Sequence, residues 1–298
     1  MSLKVEEDNI RLDNYLSNYL EESRSQITKM IKGKNVKVNG EFVKAGYNLK
    51  KGDIIDVKYV REDNSINPEK MDLDIIYEDD DLIVLNKANG IVVHPAPGNY
   101  HGTLVNGLLY HTNLSDLNGE VRPGIVHRID AYTTGLLVCA KNNKAHEILA
   151  RELSEKKTVR KYIALVWGVI KNDSGTIDAP IGRSLSDRKK MAIVSSGKKA
   201  VTHFKVLKRF DDVTLIELRL ETGRTHQIRV HMDYIGHSVV NDPVYGNKKL
   251  IDDTGQCLHA KTLGFSHPKT GKYMEFDSPL PECFVNILKK FEVGEDNA

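Results

Sequence analysis

The run His127-Arg128-Ile129-Asp130 places an imidazole, a guanidinium and a carboxylate together just ahead of an apolar stretch, Leu136 to Ala140. An ionised carboxylate can act as a base or a nucleophile. An aspartate in such a loop can equally be a turn residue or a helix cap. Two arginines are candidates to serve it. Arg128 can pair with Asp130 or bind phosphate. Arg224, in Glu221-Thr222-Gly223-Arg224-Thr225, sits at a helix entrance, where a cation opposes the helix dipole. It therefore needs a carboxylate or phosphate partner, and Asp130 is the candidate carboxylate. Tyr162 opens an apolar run behind Arg160 and Lys161, so it either fills core with its hydroxyl satisfied or faces a cleft. His127, His226 and His231 show no metal-ligand spacing, so a histidine-dependent hydrolase is a remote rival.

These residues need a scaffold, and the chain is long enough to supply one. At about 150 residues per domain, 298 residues suggest two domains. Hydrophobic residues make up 40% and charged residues 28%, values that exclude collagen-like, coiled-coil and wholly disordered chains. The longest apolar run, Tyr162 to Ile170, falls short of the roughly 18 residues of a membrane span. The start, MSLKVEEDNI, is acidic and lacks the basic-then-apolar pattern of a signal peptide. Cys139, Cys257 and Cys283 are odd in number and far apart, giving neither a disulfide framework nor a zinc spacing. A reducing, cytoplasmic location is expected.

The net charge of +2 conceals a strong local asymmetry. Eight basic residues lie between Arg24 and Lys51 against one acid, Glu41, while nine acids lie between Glu62 and Asp81 against Lys70 alone. This pattern predicts a basic module (1–61), an acidic linker (62–80) and a main body (81–298). Within the module, Leu12, Tyr15, Leu16, Tyr19 and Leu20 recur at helical spacing. Ser23 can cap a second helix bearing Ile27, Met30 and Ile31, which Gly33 can end. Asn39-Gly40 signals a two-residue hairpin, and Ile54, Ile55 and Val57 a last strand. A basic face on a helix pair and a hairpin is either a solvated surface or one that contacts folded RNA by shape. The segment RLDNYL…SRSQITKMIKGKNVKVNG…KKGDIIDV resembles an S4 RNA-binding domain over about residues 10–60. That resemblance implies RNA contacts by Arg24, Ser25 and the lysines that follow, Lys29, Lys32 and Lys37.

In the body, Asp81 to Asn86 reads as a buried strand, followed by a Gly- and Pro-broken loop with His94, Pro95 and Pro97. Leu104 to Leu109 begins a helix. Ala145, Ile148, Leu149 and Leu153 give a helical stripe behind the Leu136–Ala140 strand. Tyr162 to Val169 is apolar on both faces, as a central strand requires. Ile216, Leu218 and Leu220 alternate on another strand. Thr225 can cap a helix whose Ile228, His231, Met232 and Ile235 line one side.

The segments GIVVHPAPGNYHGTLVNGLLYH, PGIVHRIDAYTTGLLVCAK, RKYIALVWG and ETGRTHQIRVHMDYIGHSVVNDPVYG closely resemble, in this order, the RluA-type pseudouridine synthases. Within that family they are most similar to the RluD-like enzymes that modify large-subunit ribosomal RNA. The resemblance implies an α+β fold, with a mixed, largely antiparallel sheet flanked by helices behind the S4 module. It places the essential aspartate on Asp130, the active-site tyrosine on Tyr162 and the basic partner of the aspartate on Arg224. It places the arginine that holds or replaces the flipped nucleotide on Arg128, with His127 and Thr133 beside it at the RNA. Ala131-Tyr132-Thr133-Thr134-Gly135 departs mildly from the family pattern and leaves Asp130 in place. The implied reaction is an isomerisation, so no cofactor or metal is expected; no membrane partner and a monomeric state are expected as well. Transfer RNA as the substrate, and a non-catalytic ribosome-assembly factor, are the alternative readings.

Overall fold

The computed structural model describes residues 1–292 except 21, 23, 59–65, 97–98, 120–121, 188–189 and 247–249. The chain divides into two compact units, Met1–Asp63 and Asn64–Ala298.

In the first unit, β1 (Ser2–Lys4), β2 (Ile10–Arg11), α1 (Leu12–Leu20), α2 (Arg24–Lys32), β3 (Val36–Val38), β4 (Asn48–Leu49) and β5 (Ile54–Val57) follow one another. The helical spacing places Leu12 and Leu16 of α1 and Ile27 and Ile31 of α2 in one core with Val36, Val38, Leu49, Ile55 and Val57. Asn39 and Gly40 both take positive φ (50° and 82°), as a tight turn of this kind requires. The hairpin predicted there nevertheless extends for one bridge only, Val38 to Glu41. Asn39 instead ties the turn to β5, accepting from Ile54 N–H (2.9 Å) and donating to Asp53 (2.9 Å). β3 therefore pairs with β5, in the order β1–β5–β3. Ser23, the expected helix cap, lies outside the described residues.

The second unit holds β6 (Ile75–Glu78), β7 (Leu82–Lys87), α3 (Leu104–His111), β8 (Thr134–Ala140), α4 (Asn143–Ser154), β9 (Val159–Trp167), β10 (Ser174–Asp178), β11 (Ile181–Arg183) and β12 (Met191–Ile193). It continues with β13 (Val201–Arg209), β14 (Val213–Leu220), α5 (Gln227–Tyr234), β15 (Leu258–Ser266), β16 (Tyr273–Asp277) and α6 (Glu282–Glu292). Among the described residues, nine strands form one sheet in the order β10–β13–β14–β9–β15–β8–β7–β6, with β16 on β15. Its pairings are antiparallel except that of β15 with β8. Strand alternation sends Ile83, Leu85, Tyr162, Ala164, Val166, Ile216 and Leu218 to one face, where α3 and α5 cover them. Leu82, Val84, Leu136 and Val138 pack under α4, and Ile163 and Leu165 under α6, on the opposite face. β9 is thus central and apolar on both sides, as its sequence demands.

The acidic segment 62–80 is not a free linker along its whole length. Residues 62–65 lie outside the described residues, but Glu69 accepts from Gly102 N–H (2.9 Å) and Asn67 O accepts from Asn106 Nδ2 (2.8 Å). Ile75–Glu78 then forms the edge strand on β7. The acids mask two isoleucines, Ile75 and Ile76, that begin a strand rather than a tether.

Candidate active site

Between the loop that precedes β8, the start of β9 and the N-terminus of α5 lies a cavity of about 560 Å³. Asp130, Tyr162 and Arg224, the three expected catalytic residues, all line it. Arg224 does not form the expected pair with Asp130. The cation on Asp130 is Arg229: its Nη1 donates to Asp130 Oδ2 at 2.9 Å. Arg224 is exposed, and its Nε donates to the Lys199 carbonyl (3.0 Å). The reason is local. Helix α5 begins at Gln227, with His226 at its cap in the left-handed region (φ 56°) and without a side-chain cap bond. The expected cap, Thr225, is not used. The Gln227 side chain accepts from Arg224 N–H (3.0 Å) and from the Thr222 hydroxyl (2.8 Å), so the turn carries Arg224 outward. Arg229, inside the first turn of α5, points inward.

A buried cation in the first turn of a helix opposes the helix dipole and must find anions. Arg229 finds two. Its Nε and Nη2 donate to Asp242 at 2.6 and 2.8 Å, in addition to the bond to Asp130. Burial works against the charge of Arg229, but the two carboxylates more than offset it and raise its pKa. Asp242 is fully buried and also accepts from the N–H groups of Val244 (2.8 Å) and Tyr245 (3.0 Å), which fixes its orientation. One oxygen of Asp130 is thereby clamped. The other, Oδ1, receives no hydrogen bond from any described residue and faces His226 Nε2 at 3.8 Å. Burial pushes the His226 pKa down, which favours the neutral ring. His226 Nδ1 lies 2.9 Å from the Tyr245 hydroxyl.

The loop carrying Asp130 is anchored from several sides. Lys87, 2% exposed at the end of β7, donates to the Ala88 and Ala131 carbonyls (2.8 and 2.7 Å). Burial brings its pKa down to about 7. Thr133 lines the cavity with only 2% of its surface exposed, and its hydroxyl accepts from Gln256 (3.1 Å), which ties the loop down. Thr134 Oγ1 lies 2.8 Å from His259 Nδ1. Gly135 has φ +106°, and a Cβ there would fall 2.3 Å from the Ala260 carbonyl. Only glycine lets β8 approach β15 this closely. His127, expected at the RNA, accepts from Val138 N–H through Nε2 (3.1 Å), and burial pushes its pKa down to about 3. Arg128 is exposed, with Nη1 3.2 Å from His94 Nε2.

In the first unit, Arg24, Lys29 and Lys32 line one depression together with Asp13. The Asp13 carboxyl, held by Arg11 and by Arg24 (3.2 Å), is pulled down to about 2. Lys37 stands elsewhere, 4.9 Å from the Phe42 ring centroid. The Ser25 side chain and Pro97 lie outside the described residues.

A family model for RNA pseudouridylate synthase matches residues 81–234, which span Asp130, Tyr162 and Arg229. The chain belongs to the RNA pseudouridylate synthase family. An S4 domain model matches residues 10–55 of the same synthase. The synthase is 54% identical over 288 residues to an uncharacterized RNA pseudouridine synthase, YlyB, of Bacillus subtilis, covering 95% of each chain. It is 42% identical to ribosomal large subunit pseudouridine synthase D of Pseudomonas aeruginosa, covering 93% of this chain and 91% of that one. Among solved structures, human RNA pseudouridylate synthase domain containing 1 aligns with a TM-score of 0.58 at 26% identity, over 74% of the synthase and 95% of that chain. Sequence reasoning missed Arg229, Asp242, His226 and Lys87 as parts of the site. The available signal was a lone arginine among Ile228, Val230 and Met232 on a helix, a position that requires carboxylates from elsewhere in the chain.

Proposed function

We propose that this synthase converts uridines of large-subunit ribosomal RNA to pseudouridine in the cytoplasm, acting as a monomer. The observation that carries the reading is the division of Asp130, with Oδ2 clamped by Arg229 and Oδ1 open to the cavity that Tyr162 also lines. The isomerisation breaks the C1′–N1 bond, turns the uracil and joins C5 to C1′, and the C5 proton then leaves. Atoms and electrons balance within the nucleotide, so the chemistry calls for neither metal nor cofactor. Oδ1 of Asp130 is the atom placed to attack C1′ as a nucleophile or to remove a proton from C2′ as a base. Arg229 keeps the carboxylate ionised and oriented, because an adjacent cation favours the charged form. Tyr162 offers its ring to the base. Its pKa is raised by burial, which keeps the phenol protonated at neutral pH. The target base must leave its stack to enter the cavity, at a cost of a few kcal/mol. Arg128 at the rim, and Arg24, Lys29, Lys32 and Lys37 in the first unit, supply phosphate contacts that offset this cost.

Tritium release from RNA carrying 5-³H-uridine tests the reading. Release from large-subunit ribosomal RNA is expected, with none from bulk transfer RNA and none by Asp130→Ala. Release from transfer RNA alone would overturn the substrate assignment. Full activity of Asp130→Ala would overturn the site.

A further inference from the structure

Arg160, near the start of β9 and on the same strand face as Tyr162, is 7% exposed and lines the cavity. It has no counter-ion: no described residue forms a salt bridge or a side-chain hydrogen bond with it, and its Nε is buried without a partner. The other buried arginine of the site, Arg229, has two carboxylates. A buried unpaired charge is costly, and a fold that retains one leaves the site short of an anion. The surroundings also keep the guanidinium free of competing groups. Gly223 packs against it, and a Cβ at that position would fall 2.9 Å from Arg160 Nη1. Glu221, the nearest carboxylate in sequence to Gly223 on the cavity wall, is already engaged by Lys156 (2.7 Å) and lies 2.8 Å from His203.

We propose that Arg160 is the counter-cation for an anionic oxygen of the target nucleotide. The inference rests on the reading that this cavity receives a uridine of RNA. Two oxygens of that nucleotide have the right chemistry. One is a phosphate oxygen, which a guanidinium binds through paired N–H groups. The other is O2 or O4 of the uracil, which acquires negative charge when the C1′–N1 bond breaks heterolytically and the base departs with the electron pair. A fixed cation in a dry site stabilises such developing charge without reorganisation. Arg160 then acts on binding in the first case and on the rate of bond breaking in the second.

The test compares the full-length wild type with Arg160→Met, Arg160→Lys and Gly223→Ala. Three quantities are read: the melting temperature, the affinity for uridine 3′,5′-bisphosphate and for uridine by calorimetric titration, and the single-turnover rate of tritium release at saturating large-subunit ribosomal RNA. Arg160→Met is expected to melt at or above the wild-type temperature, because it removes an unpaired buried charge. A bisphosphate affinity reduced at least fivefold, with uridine affinity unchanged, assigns the phosphate. An unchanged bisphosphate affinity with a rate reduced at least tenfold assigns the uracil oxygens. In either case Arg160→Lys restores part of the loss, and Gly223→Ala reproduces part of it by displacing the guanidinium. A lower melting temperature for Arg160→Met, or no change in either affinity or rate, overturns the proposal. If wild type releases no tritium from ribosomal RNA, the functional reading fails on its own. The bisphosphate comparison then decides the role of Arg160: a loss upholds it and no loss overturns it.

Discussion

Arg229→Lys, set against Arg224→Lys, separates the arginine that holds Asp130 from the one that only borders the cavity. The guanidinium of Arg229 spans two carboxylates, with Nη1 on Asp130 and Nε and Nη2 on Asp242. A lysine ammonium is a single point of charge and cannot reproduce that fork. Asp242 is fully buried, so the ammonium is expected to stay with it and release Asp130. Losing one hydrogen bond between charged groups costs about 1.5–3 kcal/mol, or roughly 10- to 150-fold in kcat/KM. Arg224→Lys loses only an exposed bond to the Lys199 carbonyl, which corresponds to less than about a threefold effect. The control for folding is Arg229→Met, which strands the buried Asp242 and should cost about 3–5 kcal/mol of stability. In a unit of this size that lowers Tm by roughly 6–20 °C. The assay is single-turnover tritium release, with melting followed by calorimetry. If Arg224→Lys lost activity by the larger factor while Arg229→Lys stayed near wild type, the assignment of the clamp would be wrong.

Asp130→Asn should retain RNA affinity within about twofold while turnover is lost, since it alters one carboxylate and leaves the phosphate contacts in place; filter binding beside tritium release checks this. Gly135→Ala should lower stability by at least about 2 kcal/mol, because the added Cβ meets the Ala260 carbonyl at 2.3 Å and φ is +106°; a denaturant midpoint compared with wild type reads it. His127 and His259 have pKa values pushed down to about 3 and about 4 in the fold, against about 6.5 when unfolded. Between those limits the unfolded chain binds more protons, so stability falls as pH drops below about 6.5 and keeps falling toward about 4. His127→Gln should flatten that fall by about 1.4 kcal/mol per pH unit in midpoints measured from pH 6 to 4.5.

The elements were largely legible because their causes are local. The stripe from Leu12 to Leu20, the two-sided apolar run of β9 and the alternation of Ile216, Leu218 and Leu220 encode a helix and two buried strands through the periods of backbone geometry. The motif around His127–Asp130 and the order of the four segments identified the family and placed Asp130 and Tyr162 on the cavity wall. What failed was decided by pairing at a distance. The turn at Asn39-Gly40 was read correctly, but β3 chose β5 because Asn39 bonds to Asp53 and Ile54, fourteen and fifteen residues away. The acids between Glu69 and Asp81 read as a tether, yet Ile75–Glu78 had a vacant sheet edge to join. Thr133 and His127 line the cavity, and their bonds to Gln256 and to the Val138 N–H, which also hold the loop that carries Asp130, were not legible in the motif. The choice between Arg224 and Arg229 lay beyond local reasoning, since both are arginines near the same helix start. It depends on which direction the Thr222–His226 turn leaves open and on where Asp242 arrives from a later loop. Charge and residue type are properties of the sequence, whereas the partner of a charge is set by the packing that removes it from water.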